Sequence, residues 1–406
     1  MRRRAEFEPL HEHDFRWFFA SQTINLLGSA MASMALTFAV LKVDDSPTAL
    51  GQVLAARIIP TILFLLLGGA IADRFPRVAV LQIGNLAAAV TQGAAAYLVI
   101  SGHARVWELA ALSAVNGTTS AITMPAMEGM VPQLVPKALL KPANLLMQQV
   151  TSGVQVFGPA LSGILVAAFG SGPGLAVDAA SWAIAALMML PVRTRLTRAR
   201  HESGILHGLI EGWGYFRKTQ WLWVIVAAFS LLNAISTGAL NTLGPAIANQ
   251  TIGSHGWGIV RSAQALGMFA VTFVLMRVSL RRPLRTAMLV FGLGALPMLV
   301  MGFWVHTAPL AVAFFVAGAV SGVFSLAWSL VMQEQVPEAM LSRAISYDML
   351  GSFVAMPVGQ LAYGPLGDRW GFRPVMTISA VAFVLISLAT LLSASVRTLR
   401  HVPPAD

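Results

Sequence analysis

The sequence predicts an all-α polytopic membrane protein, with twelve transmembrane helices in two pseudo-symmetric six-helix bundles. Three observations predict it. Of 406 residues, 56% are hydrophobic and only 11% are charged, against about 25% charged in an ordinary soluble domain. Apolar runs of about 20 residues recur along the whole chain, each long enough to cross a hydrocarbon core roughly 30 Å thick. Glycines and prolines also recur at one fixed offset between the two halves. Backbone groups in lipid must be paired internally, so the runs are helices. The alternating ten-residue segments of an outer-membrane barrel are absent.

Taken in order, the runs place spans at roughly 15–40, 48–71, 78–100, 107–129, 143–169, 174–191, 221–247, 256–279, 284–304, 308–332, 344–365 and 373–395. Pro60, Pro125, Pro159, Pro245, Pro297 and Pro357 fall in or near them. Neighbouring helices can satisfy the backbone groups that these prolines free. The chain divides into a first bundle over 1–191, a basic linker over 192–220 and a second bundle over 221–406. Within the linker, Ile205 to Tyr215 reads as a surface helix with Leu206, Leu209, Ile210 and Trp213 on one side.

Charge gives the orientation. The net charge of +10 invites a nucleic-acid reading, but the cations lie in short loops between spans. Only Lys42, Arg105, Arg369 and Arg373 fall in the loops of one side, while Arg57 and Arg261 lie inside spans. The rest of the 27 basic residues sit on the side of the termini. Positive loops mark the inner face, so both termini are expected in the cytoplasm. No cleavable signal peptide is evident. Arg-rich cations and abundant Ala point to a GC-rich bacterial genome, and the expected location is the bacterial inner membrane. There is no cysteine, so disulfides and thiolate metal sites are excluded.

An offset of 201 residues relates the halves. Val135-Pro136 meets Val336-Pro337, Leu140 meets Leu341 and Ala143 meets Ala344. Gly158 meets Gly359, Gly163 meets Gly364, Gly170 meets Gly371 and Pro173 meets Pro374. An ordered, ungapped set of this kind is the mark of an internal repeat with parallel orientation.

Between the second and third spans the apolar sequence stops at charge: Gly69, Asp73, Arg74, Pro76 and Arg77 form a tight turn. This Gly-x-x-x-Asp-Arg-x-x-Arg pattern, the twelve spans, the basic linker and the repeat together resemble the major facilitator superfamily of transporters. The glycine usual before the last Arg is replaced by Pro76. The equivalent loop of the second half, Arg277 to Arg285, keeps basic residues but no acid. Span five carries Gly153 and Gly158-Pro159-Ala160-Leu161-Ser162-Gly163, similar to the Gly-Pro motif of drug antiporters, with Ser162 in place of a glycine. On the residues alone, Gly153, Gly158, Pro159 and Gly163 mark close helix packing and a kink. Val131-Pro132 to Ala143-Asn144, Val177 to Trp182 and Glu211-Gly212 resemble the enterobactin-exporter-like and macrolide-efflux-like branch.

The resemblance implies a secondary active transporter that exports a small amphipathic organic compound by alternating access, with proton antiport. The cargo class is a drug, antibiotic, siderophore or secondary metabolite. It also implies that Glu128 pairs with Arg77, while Asp73 faces Ala344–Ser346 at the start of span eleven and latches the inner side. Importers belong to the same superfamily, so inward transport is the nearest alternative. A non-transporting scaffold or receptor is a more distant one.

Ionisable groups inside spans are functional candidates. Arg57 either binds an anionic group in a central cavity, pairs with Asp178, or is a structural arginine satisfied by carbonyls and snorkelling outwards. Asp178 reads either as a proton site or as an acid at the outer start of span six. Asp348 and Glu334 are expected near the inner interface. Asn25, Asn116, Gln149 and Asn233, with Gln22, Gln155 and Asn241, stand at cavity depth. Trp328, Phe229 and Phe157 could stack on a substrate or simply pack.

The histidines sit in loops and termini without metal spacing, no nucleotide loop is present, and no paired acids or nucleophiles emerge. The expected protein is therefore not an enzyme. It has no cofactor, metal or nucleic-acid partner, and works as a monomer in the bilayer with protons as coupling ion. Replacing Asp73 by Asn is expected to cut efflux while leaving membrane insertion intact, and unchanged efflux would remove the latch.

Overall fold

An apolar run in lipid can pair its backbone only within itself, and a computed structural model of the chain is helical wherever the sequence is apolar. The structure describes residues 7–193, 213–275, 277 and 281–400, and leaves undescribed the side chains of 65–74, 338–339 and 342–343. The first half holds α1 (His13–Val43), α2 (Pro47–Arg74), α3 (Arg77–Ile100), α4 (Val106–Glu128), α5 (Leu140–Phe169) and α6 (Ser171–Met188). The second holds α7 (Gln220–Asn249), α8 (Gly253–Leu275), α9 (Pro283–Phe303), α10 (Thr307–Gln335), α11 (Glu338–Phe353), α12 (Met356–Trp370) and α13 (Phe372–Leu392). Among the described residues, nine helices are long and apolar enough to cross a membrane. The remaining helices α4, α6 and the α11–α12 pair stand where three further spans are expected.

Prolines account for the irregular stretches. The eleventh apolar run divides into α11 and α12, with Pro357 in the first turn of α12, a position that needs no N–H. In α7, residues Thr237–Leu243 widen into a π-turn just before Pro245, whose ring cannot follow a regular i−4 carbonyl. In α9, a 3-10 turn at Gly292–Ala295 precedes Pro297. The amphipathic linker helix expected over Ile205 to Tyr215 lies mostly outside the described residues. From Trp213 to Lys218 the chain is helical.

By contact the chain forms two compact units. Unit 1 is Met1–Asp45, Gln52–Arg200 and Gly253–Gly258; unit 2 is Ser46–Gly51, His201–Ile252 and Ile259–Asp406. In unit 1, α1 packs on α5 and α6, and α3 packs on α4 and α6. In unit 2, α7 packs on α11, α12 and α13, and α9 packs on α10 and α13. The packing scheme of the first half thus recurs in the second.

Lipid removes the hydrophobic drive between helices, so association rests on close van der Waals contact through small residues. A Cβ on Gly117 of α4 would lie 2.0 Å from the carbonyl oxygen of Arg57 on α2. A Cβ on Gly318 of α10 would lie 1.8 Å from the carbonyl oxygen of Gln264 on α8. Gly117 and Gly318 are themselves 201 residues apart, so the offset read from the sequence recurs as a contact. The turn glycines obey it too. Gly170 and Gly371 open α6 and α13 at φ of 87° and 79°, a region that L side chains enter at a cost.

One end of unit 1 has a conventional apolar core. Phe15, Phe18, Val78, Leu81, Ala126, Met130, Leu134, Leu146 and Met189 cluster there, fully or almost fully buried. Elsewhere, α3 turns Ile83, Val90 and Tyr97 outwards, seven residues apart and about 70% exposed, a stripe fit to face lipid. Gly117→Ala and Gly318→Ala should each destabilise their unit by about 1–3 kcal/mol, the usual cost of overpacking. Melting of the purified protein in detergent measures it. Gly153→Ala is the control: nothing lies within 4 Å of its Cβ position, and its melting point should hold or rise.

Candidate translocation site and gating loop

The deepest polar cluster of unit 1 begins with Asp178, which is fully buried in α6. It lies two turns into a helix that starts at Ser171, so it is not the first-turn acid that the span boundary allowed. Isolated burial of a carboxylate is costly unless donors meet it. Gln92 Nε2 of α3 donates to Oδ2 at 2.7 Å, and Ser29 Oγ of α1 reaches Oδ1 at 3.5 Å. Ser29 is also within 3.4 Å of Asn25 Oδ1, which brings Asn25 into the cluster. Trp182 lies beside Asp178, and its buried indole stands with Gln92 and Ser29 among the donors around the acid, short of a hydrogen bond of standard geometry.

Arg57 stands on α2 with its side chain exposed. The charge of Asp178 reaches it, yet no hydrogen bond joins the two. Its backbone carbonyl is engaged by Thr61 Oγ1 at 2.9 Å. Thr61 Oγ1 also lies 3.0 Å from the carbonyl of Gly117, which ties α2 to α4 beside Asn116. Asn116 is buried and its Nδ2 is unpaired. Among the described residues, unit 1 therefore offers a buried acid, a cation that does not hydrogen-bond it and an unpaired Asn116 donor, on the three helices α6, α2 and α4.

The other polar candidates have their own surroundings. Gln149 is exposed on α5. Asn233 belongs to unit 2, where its Nδ2 donates to the carbonyl of Ser352 at 3.0 Å. Unit 2 has its own arrangement. Arg261 donates to Gln264 Oε1 at 2.7 Å, and Gln264 makes the glycine contact that Arg57 makes in unit 1. Asp348 is not a bare interfacial acid: Trp328 Nε1 donates to it at 2.8 Å and Ser352 Oγ at 3.1 Å. Trp328 is thus held within an aromatic file with Phe324, Phe229 and Phe291, whose successive ring centroids are 4.0–5.9 Å apart.

At the gating loop, Gly69, Asp73 and Arg74 close α2, and their side chains lie outside the described residues. Arg77 opens α3 and donates from Nη1 to the carbonyl of Gly129. The expected ion pair with Glu128 is not formed; Glu128 is exposed. A backbone carbonyl at a helix end is a fixed acceptor with partial negative charge, and it meets the guanidinium as well as the flexible acid next to it would. In the Gly-Pro stretch, Gly158 packs on Ala30, with a Cβ there only 2.6 Å from the Ala30 Cβ. Pro159 lies inside α5. Gly163 faces Ser254 and Gly258, and Gly153 has open space. Ser162, the departure from the motif, is fully buried and donates to the carbonyl of Met31 at 2.8 Å.

Gln92 and Trp182 were legible but missed. Asn85 and Gln92 are seven residues apart in a largely apolar span, which puts both on one helical face. Gln92→Leu should cost about 1–3 kcal/mol, because it leaves a buried acceptor short of a donor. The same change in an Asp178→Leu background should cost far less, and a double-mutant cycle of melting midpoints measures the difference.

Comparison with known proteins agrees with this architecture. Residues 18–359 match the Major Facilitator Superfamily. The chain is 24% identical over 399 residues to the uncharacterized MFS-type transporter YfiS of Bacillus subtilis, covering 94% of this chain and 93% of YfiS. It is 22% identical over 394 residues to the multidrug efflux pump Tap of Mycobacterium tuberculosis, covering 93% of each. The crystal structure of the nucleoside transporter NupG superposes with a TM-score of 0.75 at 15% identity, covering 95% of this chain and 99% of NupG. The family and fold are those of transporters that bind small molecules, and they place the protein in a bacterial membrane as a multi-pass protein. The glycine-sealed repeat, the buried acid and the matched sequence lead to one assignment: the chain belongs to the major facilitator superfamily.

Proposed function

We propose that the protein exports a small amphipathic organic compound (a drug, antibiotic, siderophore or secondary metabolite) by alternating access and proton antiport. The observation that carries the reading is the pairing of fully buried Asp178 with an Arg57 that it does not hydrogen-bond. A carboxylate out of water is tolerated if a cation compensates it or a proton neutralises it. Arg57, left without a hydrogen-bonding partner, can compensate Asp178 or hold a polar or anionic group of the cargo. Proton and cargo then compete through one pair of charges, which is the thermodynamic requirement for exchange.

The export direction is supported by the likeness to Tap and by the close packing around Gly158 and Gly163. On this reading the protein is a monomer of the inner membrane with both termini in the cytoplasm. The loop from Gly69 to Arg77 acts as an inner latch, with Arg77 anchored on the end of α4.

Inverted membrane vesicles test it. Energised vesicles carrying the protein should accumulate fluorescent amphipathic dyes, and a proton uncoupler should abolish the accumulation. Uncoupler-insensitive accumulation removes antiport. Raised dye levels in intact expressing cells indicate import instead. Asp178→Asn should lower uphill accumulation by about tenfold or more while sparing downhill exchange, the scale of one lost charge-assisted interaction. Arg57→Gln should raise the apparent KM for anionic dyes more than for neutral ones. Paired initial-rate measurements read the difference.

A further inference from the structure

Unit 2 carries an apolar groove beside the start of α7. It has a volume of 630 Å³, with the end of the linker at its mouth and α7 along its wall. Trp213, Phe216 and Arg217 come from the linker, Trp223, Ala227 and Ser230 from α7, and Gly351 and Val354 from the end of α11. Its floor is tight. A Cβ on Gly351 would come within 2.4 Å of Val226, so the missing side chain is what lets α11 lie against α7.

The wall residues sit at helical spacing along α7 and extend about 10 Å down from its start. Trp213 is 51% exposed and Trp223 is 42% exposed. Trp213, Phe216 and Tyr347 of α11 form a closed aromatic triangle with ring centroids 5.7 Å apart on each side. Arg217 and the adjacent Lys218 are exposed, and neither has a hydrogen bond or ion pair among the described residues. Among the described residues, no acidic side chain lines the groove.

This combination has a definite chemistry. An apolar slot along a membrane-spanning helix suits an acyl chain. Two cations where that helix begins suit a phosphodiester. Tryptophans at the same level suit the headgroup region, where aromatic rings anchor helices. Basic pockets between spans, at the end where positive charge collects, are sites for anionic headgroups. We infer that the groove binds one anionic phospholipid, its phosphate on Arg217 and Lys218 and one acyl chain along Trp223, Ala227 and Ser230. A bound lipid of this kind bridges the linker to α11. It would couple the composition of the inner leaflet to the placement of that helix.

The test uses purified full-length protein in detergent, titrated with phosphatidylglycerol or phosphatidylethanolamine of identical acyl chains and followed by native mass spectrometry. One tightly held phosphatidylglycerol per chain is expected, with a preference over phosphatidylethanolamine. Arg217→Gln with Lys218→Gln should lower that preference by about fivefold for each charge removed. Ala227→Trp should fill the slot and lose both lipids, and dye transport in vesicles reports that this variant has folded. Equal retention of the two lipids by the unaltered protein would overturn the proposal. So would an unchanged preference in the double variant, or the absence of any bound lipid because the 194–212 segment fills the groove.

Discussion

Everything in this fold rests on how closely two helix backbones can approach when no water is present to drive them together. Gly117 against the Arg57 carbonyl and Gly318 against the Gln264 carbonyl are the clearest cases. At such contacts the side chains of both helices are displaced to either side of the crossing. That geometry fixes the azimuth of α2 and α8, and so decides where Arg57 and Arg261 can point. The charge arrangement is thus a consequence of the packing. Helices held by a bare backbone contact can carry a cation in the bilayer without relying on it for association.

The repeat makes a comparison within one chain. At the same glycine crossing, the first half has Arg57 and the second has Gln264. The second half has an arginine one turn away, and it is spoken for by Gln264 itself. Its half-buried acid, Asp348, is likewise held by Trp328 and Ser352. In the first half the arginine is open and the acid is shared among three helices. Divergence after duplication has closed one set of charges and left the other available.

Much of the fold was legible because lipid simplifies the code. Run length, loop charge and the Gly and Pro offset each report on one physical constraint. The α11–α12 division and the π-turn of α7 were less legible. A proline inside an apolar run announces trouble, but neighbouring helices decide its form. Of the candidate site, Asp178, Asn25 and Asn116 fall where polar residues in apolar helices should. Gln149 is exposed on α5, because depth along a span says nothing of azimuth, and Asn233 is bound within unit 2 to the carbonyl of Ser352. The Arg77–Glu128 pair does not form for a local reason: the guanidinium donates instead to the neighbouring Gly129 carbonyl, and the Glu128 side chain is exposed. Ser162 shows the opposite case, a departure from a motif that has its own hydrogen bond across to α1.

The division into units has a consequence for how the chain is made. Unit 1 includes Gly253–Gly258, which lies beyond the linker, and unit 2 includes Ser46–Gly51, which lies before it. The first six helices therefore leave the ribosome with a place still vacant beside Gly163, and they keep it until the start of α8 has been synthesised. The first half is therefore not complete at the moment its own last helix is inserted. A chain interrupted at the linker would leave the first half without Gly253–Gly258 and the second without Ser46–Gly51.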